Sequence, residues 1–160
     1  MFRVITKSFV LILFFYAIGF AQNKTEYQPV NKFDPDRDAA KDISEAVQYA
    51  KEVHKNVLID VGGDWCIWCH RIDDFINSHE KIKKYLEDNY VEVKVNFSKE
   101  NKNEKVLSHY PKIEGYPHIF VLDANGKLLH SENTGLLEHE KGYSSEKFME
   151  FLKKWAPGKS

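Results

Sequence analysis

Only two thiols are present in this chain of 160 residues, Cys66 and Cys69, and they lie in the run Trp65-Cys66-Ile67-Trp68-Cys69-His70. A bridge between them closes a loop of four residues. The chain-entropy estimate for so small a loop is only about 2 kcal/mol, against about 4.7 kcal/mol for a loop of roughly 100 residues. As a staple the pair is poorly placed, so chemistry is the better account of it. If Cys66 opens a helix, its sulfur meets unpaired backbone N–H groups and the positive end of the helix dipole, both of which favour thiolate over thiol. Cys69, three positions on, falls on the same helix face, within the separation a disulfide accepts. The spacing therefore assigns Cys66 as a nucleophile and Cys69 as the thiol that resolves a mixed disulfide formed there.

Other residue types fit around this pair. Asp60 lies in an otherwise apolar run, Val57-Leu58-Ile59-Asp60-Val61. Burial there raises its pKa and a nearby Lys94 lowers it, and a carboxylate tuned in this way can accept the Cys69 proton. A solvated aspartate at a strand end is the plainer alternative. Trp65 and Trp68 flank the thiols, either as an apolar rim for partner polypeptides or as core packing. His70 and His118 could join the cysteines in a soft site for zinc or copper(I), although a solvated His70 and an unpartnered strand His118 are favoured over ligands.

These side chains need a frame. Ile43, Ala46, Val47, Ala50 and Val53 recur at helical spacing behind a capping pattern of Asp42 and Glu45, which predicts a helix over 42–54. The run 57–61, bounded by Asn56 and Gly62-Gly63, predicts a strand buried on both faces. A helix from Cys66 to about His79 follows, with a further turn or two marked by Ile82, Tyr85 and Leu86. Alternation over 91–97 predicts a second strand, and 100–110 reads as a mostly exposed helix. Residues 117–122 and 127–130, joined by Asp123-Ala124-Asn125-Gly126, form an expected antiparallel hairpin. Ser144 or Ser145 caps a last helix with a stripe of Phe148, Phe151, Leu152 and Trp155, and 138–141 reads as a solvated loop. Alternating elements ending in a hairpin imply an α/β fold with a central mixed sheet flanked by helices.

The ends of the chain differ in kind. Phe9 to Ala21 is an uncharged apolar run preceded by Arg3 and Lys7 and closed by Gly19-Phe20-Ala21. It is too short for the roughly 20 residues of a membrane span and reads as a signal peptide over 1–21, cleaved near Ala21; an uncleaved anchor is the alternative. The expected location is periplasmic or secreted. Residues 22–41, broken by Pro29 and Pro35, read as an extended N-terminal arm, and 42–157 as a single domain. The leader holds two of the 23 basic residues and none of the 24 acidic ones, so the remainder is slightly acidic and lacks a basic footprint for nucleic acid.

The spacing of Asp60, Trp65, Cys66 and Cys69 resembles the strand and active-site turn of the thioredoxin superfamily. Lys94, in Val93-Lys94-Val95-Asn96, resembles the lysine that the family places beside the buried carboxylate, and Gly115-Tyr116-Pro117 resembles its cis-proline loop. Gly63-Asp64-Trp65-Cys66-Ile67-Trp68-Cys69-His70 is similar to exported thioredoxin-like proteins and to the C-terminal domain of the membrane-bound disulfide reductase, as is the lead-in Phe33-Asp34-Pro35-Asp36-Arg37-Asp38. The resemblance covers about residues 40–156 and implies a thioredoxin fold. It further implies a catalytic set of Cys66, Cys69, Asp60 and Lys94 and a substrate-binding set of Trp65, Trp68, Tyr116 and Pro117. Tyr116, before a cis Pro117, would offer its backbone N–H and C=O to an extended substrate. The implied activity is thiol–disulfide exchange with protein substrates, more often as reductase than oxidase, with no cofactor and with an electron donor at the membrane. Ile67-Trp68 departs from the dipeptides of cytoplasmic thioredoxin and of disulfide isomerases, which leaves the redox potential open. The rival expectations are a metal-binding or metallochaperone module and a redox-inert binding protein on the same fold.

Overall fold

Seven consecutive residues, Asn56–Gly62, are all buried and form β1. A strand covered on both faces needs partners on either side, and it has them. The computed structural model describes residues 27–158; the leader expected over 1–21 lies outside them. In it β1 pairs in parallel with β2 (Tyr90–Asn96) and antiparallel with β3 (His118–Leu122), which in turn pairs antiparallel with β4 (Leu128–Asn133). The sheet order is β2-β1-β3-β4, a mixed sheet as expected.

The two faces of the sheet follow from the strand period of two. Val57, Ile59 and Val61 of β1 and Val91, Val93 and Val95 of β2 pack in one core with Ala39, Ile43, Ala46 and Ala50 of α1 (Ala39–Val53). The alanines let the helix approach the sheet closely. Leu58, Tyr90, Ile119 and Val121 face the other core, formed with α2 (Ile67–Ser78), α3 (Glu80–Asn89) and α5 (Ser145–Lys154). Phe120 and Phe148, one in each core, are completely buried, and burial of such a ring is worth about 1.5–3 kcal/mol.

Several boundaries differ from the sequence expectation. Helix α1 starts at Ala39, not residue 42, because Asp38 is the cap: its Oδ1 accepts hydrogen bonds from the N–H groups of Ala40 (3.0 Å) and Lys41 (3.1 Å). Asp42 is instead buried and clasped by Arg37 at 2.7 and 2.6 Å. The turns expected after His79 are a separate helix of ten residues, α3. Of the helix expected over 100–110 only one turn forms, α4 (Glu104–Leu107); Asn96, Asn101 and Asn103 hold the neighbouring chain by side-chain bonds to backbone instead. Residues 138–141 belong to a short hairpin, β5 (Glu138–His139) with β6 (Gly142–Tyr143), preceded by a 3-10 turn at Thr134–Leu137.

From Tyr27 onward the arm packs against the domain. Tyr27 stacks on Tyr49 of α1 with ring centroids 4.6 Å apart. Val30 makes a parallel bridge to Val93 on the free edge of β2, with the Lys94 N–H donating to the Val30 carbonyl at 2.9 Å. The chain then crosses to the α2 side of the sheet, where Phe33 is buried, before Asp38 starts α1.

Candidate active site

Helix α2 begins immediately after Cys66, which occupies the cap position with extended backbone (φ −93°, ψ 102°). Its Sγ accepts the Cys69 N–H at 3.1 Å, so the sulfur is the side chain that satisfies one of the helix's free amides. Cys66 and Cys69 are joined as a disulfide with their Cα atoms 5.2 Å apart. Access to the two sulfurs differs: Cys66 keeps 4% of its surface, Cys69 none. Gly62 makes this possible, because a Cβ there would overlap Cys69 Sγ and crowd the Phe33 ring at 3.1 Å.

Asp60 lies two residues before Gly62 on the same sheet face, so its carboxyl is about 6–7 Å along the strand from the position over which Cys69 sits. In register beside it, Lys94 donates to Asp60 Oδ2 at 2.7 Å. The same ammonium donates to Asp73 Oδ1 at 2.7 Å and lies 4.0 Å from Glu92. Burial drives the Asp60 carboxyl above the ordinary carboxylate range, and the attraction of Lys94 only partly offsets it. Asp60 Oδ1 is buried without a hydrogen-bond partner. Burial works against the Lys94 ammonium, but Asp60, Glu92 and Asp73 outweigh it and hold its pKa above the ordinary lysine value. Burial also pushes Glu92 upward, against Lys94.

The rim is aromatic. Trp65 is 59% exposed, and its Nε1 donates to the Phe97 carbonyl at 2.6 Å. Gly63 is required for this pose, since a Cβ there would meet the indole Nε1 at 2.6 Å. Tyr116 meets Trp65 edge-on and stacks on Phe97 at 4.8 Å. The Tyr116–Pro117 peptide bond is cis, and the Thr134 hydroxyl donates to the Pro117 carbonyl at 2.6 Å. Trp68 is half-buried between the Arg71 guanidinium, 4.4 Å from its ring, and Tyr143.

Thus the structure brings Cys66, Cys69, Asp60, Lys94, Trp65, Trp68, Tyr116 and Pro117 to one end of the sheet, with Asp60 and Lys94 within the C-terminal halves of β1 and β2 and the others around the C-terminal ends of those strands. It does not bring the two histidines to the sulfurs. His118 is on the opposite, α1-facing side, against Phe120 and within 2.8 Å of Ser131 Oγ, and His70 Nε2 is 2.8 Å from the Asp64 carbonyl oxygen. Among the described residues, one trio of carboxylates lies within ligand spacing, Asp60, Asp73 and Glu92. Lys94 already pairs with all three.

Sequence reasoning passed over Asp73, Glu92 and Phe33. Two had a signal: Asp73 is one turn after Cys69, and Glu92 shares a strand face with Lys94. Phe33 was legible only as part of the lead-in shared with exported thioredoxin-like proteins, and no local spacing tied it to the sulfurs.

A family model described as thioredoxin-like matches residues 38–124, more than half of the chain. The chain belongs to the thioredoxin-like family. It is 32% identical over 95 residues to the disulfide bond reductase DsbH of Chlamydia pneumoniae, a match covering 54% of this chain and 57% of that protein. It is 27% identical over 74 residues to the thiol:disulfide interchange protein DsbD of Photorhabdus laumondii, covering 46% of this chain and 13% of that protein. The chain therefore spans less than two thirds of either relative. Among solved structures, a disulphide isomerase from Xylella fastidiosa shares the fold, with a TM-score of 0.66 at 23% identity over 76% of this chain and 94% of that one.

Proposed function

We propose that this chain is an exported thiol–disulfide oxidoreductase that reduces protein disulfides through Cys66 and Cys69. The observation that carries the reading is the Cys66 sulfur at the cap of α2, accepting the Cys69 N–H and bonded to Cys69. A helix N-terminus stabilises the thiolate, which is the attacking species. In the dithiol form the Cys66 thiolate attacks a substrate disulfide. A Cys66–substrate S–S bond forms, and the displaced substrate sulfur leaves with the electron pair and takes a proton. Cys69 then passes its proton through an intervening water to the Asp60 carboxylate and attacks Cys66 Sγ, closing the intramolecular disulfide and releasing the second substrate thiolate. Two electrons pass from the dithiol to the substrate.

The Lys94 ammonium works against the upward push of burial on Asp60, and Asp60, Glu92 and Asp73 together hold the Lys94 pKa above its ordinary value. Trp65, Trp68, Tyr116 and Pro117 form the docking rim for an extended substrate segment. The reductive direction is supported by the name of the Chlamydia relative, and export by the leader pattern of residues 1–21. An electron donor at the membrane recycles the oxidised form. The test is reduction of insulin with dithiothreitol as donor: activity must depend on Cys66, and activity retained by Cys66→Ser refutes the assignment.

A further inference from the structure

The ring of Phe33 reaches the redox site from a segment remote in sequence. It is 7% exposed and packs in one small cluster with Cys66 and Cys69, joined by Trp68 and Tyr116. Its edge is held against the position of the missing Gly62 Cβ, beside Cys69 Sγ. Its face covers Lys94, whose ammonium is 4.5 Å from the ring centroid. A ring in this position touches the sulfurs and the ammonium that pairs with Asp60.

The arm on either side is fastened. Val30 is bridged to β2, and the Pro35 carbonyl accepts the Asn101 side-chain amide at 2.8 Å. Only about residues 31–34 lie between these anchors. Beneath them is a cavity of about 310 Å3 whose walls include Phe33, Asp64, His70, Asp73 and Lys94.

We propose that Phe33 is a positioning residue of the redox site: its ring closes over the Cys66–Cys69 disulfide and Lys94, restricting which thiols reach the sulfurs and keeping water from Asp60. The inference rests on the exchange function proposed above. A partner polypeptide displaces the ring by packing on the aromatic rim; a small thiol has no such surface with which to do so. Asp60 is faced by Lys94 and Glu92 from β2, by Asp73 from α2 and by Tyr143 from β6. The arm contributes an uncharged ring that excludes water, which disfavours the ionised carboxylate.

Glutathione is the probe for access. Its thiolate attacks Cys66 Sγ, forming a glutathione–Cys66 bond while the Cys66–Cys69 bond breaks and Cys69 leaves with the electron pair and takes up a proton. A second glutathione thiolate attacks the glutathione sulfur of that mixed disulfide, releasing glutathione disulfide and the Cys66 thiolate. In Phe33→Ala the rate of this reduction should rise about tenfold over wild type, as expected where access limits exchange, and the glutathione rate should rise relative to the insulin rate. Phe33→Leu, which keeps most of the apolar volume, should fall between the two and carries the test if the alanine variant does not fold. A second readout does not need turnover: the infrared carboxyl band of Asp60, assigned by its loss in Asp60→Asn and followed against pH, should titrate at lower pH in the Phe33 variants. Folded variants with unchanged glutathione rates and an unchanged Asp60 titration overturn the role of Phe33. A wild-type chain that exchanges with no thiol, yet whose Asp60 titration moves in the variants, overturns the proposed function and retains the role of the ring.

Discussion

The two faces of β1 and β2 are made from the same strands and diverge toward their C-terminal ends. Toward α1 they present Val57, Ile59, Val61, Val91, Val93 and Val95, an unbroken apolar surface. Toward α2 they present Leu58, Asp60 and Gly62 beside Tyr90, Glu92, Lys94 and Asn96, of which only Leu58 and Tyr90 join the apolar core on that side. One face supplies burial energy. The other gives up that energy to hold a charge cluster and to clear a space for a sulfur. The difference teaches that stability and chemistry are separable here by the parity of the residue number along a strand, and substitutions on the two faces should fail in different ways.

The largest effect is expected on the apolar face. Ile59→Ala removes a completely buried side chain and should cost about 2–5 kcal/mol by denaturant unfolding, with the exchange rate per folded molecule unchanged. A variant that loses exchange while folded would blur the division between the faces.

Asp60→Asn, on the other face, should act in the opposite sense. Burial raises the Asp60 pKa, so the folded protein binds that proton more tightly than the unfolded chain. The stability contributed by the neutral carboxyl is complete below the unfolded pKa and is lost as pH rises through the folded one. Lys94 keeps its pairing to Asp73 in the variant. Asp60→Asn should therefore be more stable than wild type at pH 7 and no more stable at pH 3, measured by urea unfolding at the two values, while resolution of a mixed disulfide by Cys69 slows. The smallest effect belongs to the rim. Trp65→Ala should leave stability within about 0.5 kcal/mol, because the side chain is largely exposed, and should raise KM for insulin more than it lowers kcat.

This division explains what could be read in advance. The face toward α1 announced itself through branched residues in β1 and the helical spacing of Ile43, Ala46 and Ala50, so the strand, the helix and the mixed sheet were all within reach of the sequence. Cys66 and Cys69 were legible from their spacing, whereas Asp60 and Lys94 were singled out through the family resemblance, and the structure sets those two in register on neighbouring strands. What escaped depended on distant packing. Asp38 replaced Asp42 as the cap because Asp42 is taken by Arg37, a choice between two acidic residues four positions apart that local pattern does not make. The helix over 100–110 failed because asparagine side chains bind the backbone there in its place. Phe33 came to the sulfurs through the bridge at Val30, some sixty residues away in sequence from its strand partner Val93.

The parallel sense of that bridge has a geometric consequence. Strand β2 runs toward the redox loop, so the segment beside it does too, and Tyr27 lies at the tail end of the sheet against Tyr49. Whatever polypeptide precedes Tyr27 joins the domain at the pole away from the sulfurs. A tether applied through that end would point the reactive pole outward, toward an arriving partner.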